Sequence, residues 1–180
     1  LATLLPNSST LEPPLSELLS TLRDLQNSSS GAPIPGTAFA FNLGGFGYGT
    51  GYMEDAWDTT CALRALIAQH TTEPLSPSQY LSDPILCATA LLLEVQNIHL
   101  STPGQCGWPA QDVEEAPDSI ERTPDPLVTA LTIETLASIP DDRRAISIDT
   151  YSFQARIDEA LTQGLSFLGT FRRESQSMNY

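Results

Sequence analysis

The chain contains no lysine. Its 8 basic residues are all arginine and stand against 22 acids, giving a formal net charge of −14 over 180 residues. A field of that sign repels phosphate backbones and anionic lipid, which argues against nucleic acid or a membrane surface as partner. Long apolar runs are also missing. The longest, Ile85 to Leu93, falls well short of the ~20 residues a membrane span needs. No basic, cleavable leader is present, and the chain opens on Leu1 rather than Met, which points to a processed or excised segment. Cysteine and histidine are scarce. Cys61, Cys87 and Cys106 are an odd number at wide spacing, with no C-x-x-C pair and no zinc framework. Cys61 and Cys87 fall inside apolar helical patterns, where a free cysteine behaves as a small buried hydrophobe. The count fixes neither a disulfide nor a compartment.

What is present is a repeat. A shift of 70 residues superimposes Pro14 on Pro84, Leu22 on Leu92, Gln26-Asn27 on Gln96-Asn97 and Pro33 on Pro103. It also superimposes Asp55 on Asp125, Thr59 on Thr129 and Leu66 on Leu136. These matches fall at helix starts, helix ends and apolar positions, where a structural repeat should leave its trace.

Each repeat reads as two helices joined by a long loop. The first helix of repeat one is expected over about Pro14 to Gln26, with Leu15, Leu18, Leu19, Leu22 and Leu25 as one stripe. Its counterpart spans about Pro84 to Gln96, capped by Asp83, with a face of Ile85, Ala88, Leu91, Leu92 and Val95 broad enough for contact on more than one side. The second helices are expected over about Ala56 to Gln69, with Asp55 or Glu54 as cap or helix-dipole partner, and Pro126 to Ser138, capped by Asp125. Their stripes are Thr59, Ala62, Leu63, Leu66 and Ile67 in one, and Val128, Leu131, Ile133, Leu136 and Ile139 in the other. A fifth helix over about Phe153 to Arg172 carries Ile157, Leu161, Leu165, Leu168 and Phe171 and opens a third repeat. Sheet is expected only as short ribbons in the glycine loops. The whole, 1–180, is one helical-repeat domain: repeat one about 12–70, repeat two about 82–139, a half repeat about 153–173.

Gly44-Gly45-Phe46-Gly47, then Asp55-x-x-Asp58-Thr59, then Ala62-Leu63-x-Ala65-Leu66 resembles the repeat of the prenyltransferase and squalene-cyclase (terpenoid cyclase) superfamily. That repeat pairs a glycine-aromatic loop with a helix reading roughly D-x-x-D-T-A-x-A-L, after a helix ending near Gln. The resemblance covers about Leu15 to Leu168. It implies an all-α, α/α-toroid-like array of about two and a half helical hairpins. Since such barrels close with about six hairpins, it also implies a longer chain, a degenerate open array or a unit completed by self-association. The partners it implies are a protein partner, the chain's own missing repeats or a second copy.

The resemblance also sets the chemistry to test. Class II cyclases protonate an alkene with the middle acid of D-x-D-D, and Trp57 stands at that place. Glu54, Asp55 and Asp58 resemble an acidic motif that holds magnesium and a diphosphate; the competing reading is a helix cap with dipole-favoured acids. His70 and His99 have no Cys or Asp at zinc-ligand spacing, and Cys106 to Gln111 has the wrong spacing for a thioester. The acids Asp112, Glu114, Glu115, Asp118 and Glu121 lack the glycine of a calcium loop. Asn7 and Asn27 open glycosylation acceptors that matter only in a secretory setting. The expected function is therefore a non-catalytic helical-repeat domain that binds a protein or ligand, with no cofactor. The alternative is an isoprenoid-type enzyme domain that takes a prenyl diphosphate through magnesium at Glu54, Asp55 and Asp58.

Overall fold

The computed structural model describes Glu17, Ser20, Thr21, Gln26 and residues 44–46, 55–97, 106–109 and 124–177. These residues are 70% helical and 4% strand, an all-α protein. The order is α1 (Ala56–Ala68), a 3-10 helix (Pro77–Ser82), α2 (Pro84–Asn97), α3 (Pro126–Ala137), the single turn α4 (Asp141–Arg144), and α5 (Phe153–Ser177). Strands β1 (Ser147–Ile148) and β2 (Tyr151–Ser152) form one antiparallel ribbon between α4 and α5. Of the expected first helix, Glu17, Ser20 and Thr21 are helical, and the rest of it lies outside the described residues. No helix among the described residues is long and apolar enough to cross a membrane.

The helix starts follow from their caps. Asp55 and Asp125 have extended backbones, and each turns a carboxylate onto the first free N–H groups of its helix. Asp125 accepts from Leu127 and Val128, and Pro126 at the first position gives up an N–H that had no partner to lose. Asp83 does the same for α2 through Leu86 N, 3.0 Å from its Oδ1.

The four long helices touch in a closed cycle, α1 to α2, α2 to α5, α5 to α3 and α3 back to α1. α1 and α3 thus form one layer, α2 and α5 the other. α2 is buried on all sides, from Ile85 to Leu93 and again at Val95 and Gln96, which is what its broad apolar face requires. α1 buries Thr59, Ala62, Leu63 and Leu66 as its stripe predicts.

Three elements differ from expectation. In α3 the buried arc is Val128, Thr129, Thr132, Thr135 and Leu136, with Leu131 and Ile133 only half buried. The threonines win because their hydroxyls find partners: Thr60 and Thr132 share a hydrogen bond of 2.9 Å across the α1–α3 contact. In α5 the buried residues are Phe153, Ile157, Ala160, Gly164 and Phe167, while Leu165 is 58% exposed and Phe171 46%. Leu165 therefore leaves the expected stripe. Small residues at 160 and 164 let α5 come close; a Cβ on Gly164 would meet Ile133 at 2.9 Å and Trp108 at 3.0 Å. The ribbon sits at 147–152 rather than in a glycine loop, turning at Asp149 with φ 51°, a backbone that Asp tolerates.

Candidate functional site

The matched residues of the two repeats make matched bonds. The Gln26 side-chain amide donates to Gly44 O at 2.7 Å and to Pro84 O at 3.1 Å. The Gln96 amide donates to Cys106 O at 3.1 Å and to Ala160 O at 3.0 Å. Each glutamine thus ties its own loop to the helix that opens the next unit. An aromatic residue follows in each loop. Phe46 N donates to Thr59 Oγ1, and Trp108 N to Thr129 Oγ1, both at 2.9 Å. Asp55 N donates to Phe46 O at 3.2 Å and Asp125 N to Trp108 O at 2.9 Å. Gly107 is required by close approach, since a Cβ there would lie 2.5 Å from Thr129 Oγ1.

This frame decides what the acids at the head of α1 do. Asp55 Oδ1 accepts the N–H of Asp58 at 2.6 Å, so the carboxylate is engaged as the helix cap. Asp125, its counterpart, caps α3 with no second acid beside it, Val128 standing where α1 has Asp58. The cap is the shared role; the acid pair is confined to α1. Asp58 is half buried at the same helix start. Glu54 lies outside the described residues.

Burial pushes the Asp55 carboxyl up from 3.8 to about 6, with the Asp58 charge adding to the rise against backbone N–H groups that oppose it. A carboxyl that titrates higher when folded binds more proton folded than unfolded in that window. Its stabilising contribution is therefore present at low pH and is lost as pH rises from about 4 through about 6. Asparagine keeps a capping oxygen without the charge. We expect Asp55→Asn to raise the melting temperature at neutral pH relative to the native chain, and the gain to shrink toward pH 4. A pH-independent difference would contradict the assignment.

Cys61 and Cys87 are poorly suited as nucleophiles. Cys87 is buried, bonds Leu81 O at 3.4 Å and has its thiol pushed up to about 12 by burial. Cys61 is exposed, contrary to its expected burial, because it falls on the outer side of α1. Burial, aided by the Asp58 charge, also raises its thiol. A reactive thiol needs the opposite shift. All three cysteines are free. His70 bonds Asp142. His99, the acids of 112–121, and Asn7 and Asn27 lie outside the described residues, and among the described ones no three of His, Cys, Asp and Glu converge as a metal set.

The outer side of the α1–α3 layer mixes apolar side chains with one exposed ion pair. Trp57, 38% exposed, and Leu127, 66% exposed, occupy the same position one residue into their helices. Cys61, Ala65 and Ala68 continue the surface along α1, as do Ala130 and Ala137 along α3. The Arg64–Glu134 ion pair, 3.1 Å, bridges the two helices and shows that their exposed sides form one face. Sequence reasoning passed over this face because Trp57 was weighed only as a proton donor; the 70-residue register that pairs it with Leu127 was the signal available.

No protein-family model, curated protein or solved structure matches the chain.

Proposed function

We propose that the chain is a non-catalytic helical-repeat domain, built like the prenyltransferase and squalene-cyclase repeats it resembles, that binds a protein partner across the outer face of α1 and α3. The observation that carries this reading is the pair Trp57 and Leu127, exposed at equivalent positions on two adjacent helices. An aromatic and an aliphatic anchor on a surface of small residues, crossed by one ion pair, has the composition of a recognition patch. The net charge of −14 favours a partner segment that is basic as well as apolar. The magnesium-diphosphate alternative asks Asp55 to serve as cap and ligand at once.

The test is a titration followed by nuclear magnetic resonance. The probe is a synthetic amphipathic helical peptide with a leucine stripe and lysines opposite. Its twin carries glutamates in place of the lysines. We expect the basic peptide to shift the Trp57 indole and the methyls of Leu127 and Ala130, less so as salt is raised. Leu127→Glu should abolish the shifts with little change in stability, because this side chain is exposed. Shifts absent with the basic peptide, or equal with its acidic twin, would overturn the reading.

A further inference from the structure

At the opposite end of α1 lies a cavity of about 240 Å³. Its walls come from the end of α1 (Leu66), the following segment (His70, Glu73, Leu75), the start of α2 (Asp83, Ile85) and α4 (Arg143). The volume matches about eight waters at ~30 Å³ each, or one small organic molecule.

Its polar groups are held in advance. The Arg143 side chain is 6% exposed and that of Asp83 8%, unusual burial for charged residues. Arg143 Nε donates to Asp83 Oδ2 at 3.2 Å. Its Nη1 donates to Glu73 O at 3.1 Å and to Asp142 Oδ2 at 2.7 Å. Asp142 also accepts from His70 Nε2 at 3.1 Å. Among the described residues Arg143 Nη2 makes no bond, which leaves its two N–H groups as donors. Asp83 takes one bond on each oxygen, Leu86 N on Oδ1 and Arg143 on Oδ2, and a carboxylate accommodates about four. Leu66, Leu75 and Ile85 supply an apolar wall beside them.

Charge selects among ligands. A simple anion faces Asp83, Asp142, the cavity-lining Glu73 and the chain's net −14. A simple amine faces the fixed guanidinium. A zwitterion carries no net charge and matches both sets, its carboxylate on the guanidinium and its ammonium on Asp83. We propose that this cavity binds a free α-amino acid with an aliphatic side chain, the chain lying on Leu66, Leu75 and Ile85. This site is separate from the α1–α3 face and stands or falls independently of it.

Leucine is the probe, followed by amide resonances of the intact chain. Isocaproate, which lacks the amine, and isoamylamine, which lacks the carboxylate, are the comparators. Leucine should shift the amides of His70, Leu75, Ile85 and Arg143 and leave Ala65 and Ala130 still. Each comparator should bind about tenfold more weakly or worse, as expected for losing one charge-assisted contact. Leu75→Trp fills the cavity from a half-buried position and should remove the response. No shift with millimolar leucine, equal affinity for either comparator, or an unchanged response in Leu75→Trp would overturn the proposal.

Discussion

Replacing Trp108 with alanine will destabilise the folded chain by about 3–5 kcal/mol, the usual range for a buried aromatic. Trp108 is 0% exposed, and its indole N–H donates to Leu92 O at 2.7 Å. Its main chain holds both Thr129 and the cap residue Asp125. Its ring sits where α5 passes closest, beside Gly164 and Ile133. One side chain thus fixes the spacing of α2, α3 and α5. Alanine leaves a void that the helices cannot close without giving up the bonds around it. Urea unfolding followed by circular dichroism reads the effect. A loss below about 1 kcal/mol would mean that the second hairpin is held by something else.

Arg143→Ala is expected to cost a comparable amount, about 3–5 kcal/mol, for a different reason. The guanidinium joins Asp83, which caps α2, to Asp142 beside it and to the main chain at Glu73. Removing it leaves two carboxylates without their cation, one of them 8% exposed. The penalty arises from stranded charge, so Asp83→Asn in the same chain should recover part of it, a coupling that a double-mutant cycle measures. Because the pair is buried, the loss should vary little with salt. Additive effects of the two substitutions, or a loss that disappears at high salt, would show the network to be a surface pair.

These two residues also mark what was and was not legible in the sequence. The helices at 56–68, 84–97, 126–137 and 153–177 lie close to where apolar spacing and Asp-Pro starts put them, because caps and stripes are local. The 70-residue register paired Gln26 with Gln96 without revealing that each amide bridges a loop to the next helix. The aromatic anchors fall outside that register, though Gly107-Trp108-Pro109 reads as the counterpart of the glycine-aromatic loop. Phe46 and Trp108 are offset by 62 residues, since the second loop is longer between anchor and cap. Periodicity also misplaced the buried arc of α3, where the Thr132 hydroxyl has a partner on α1 and the Thr129 hydroxyl one in the Trp108 loop, and so they go inside in place of Leu131 and Ile133. The Asp83–Arg143 pair spans 60 residues and two connections, and nothing in either local pattern announces it. For the candidate site, the sequence offered Glu54, Asp55 and Asp58 both as an acidic motif and as a helix cap, and in the structure Asp55 caps α1 as Asp125 caps α3.

The head of α1 is proposed to serve structure rather than catalysis. The most direct measurement is the melting temperature with magnesium and a prenyl diphosphate added together, each in large excess. A ligand at 100 times its dissociation constant stabilises the fold by about 2.7 kcal/mol, an easily read shift. The account predicts no shift. A shift that appears with both additions and vanishes in Asp58→Asn would contradict it and identify a diphosphate site at Asp55 and Asp58.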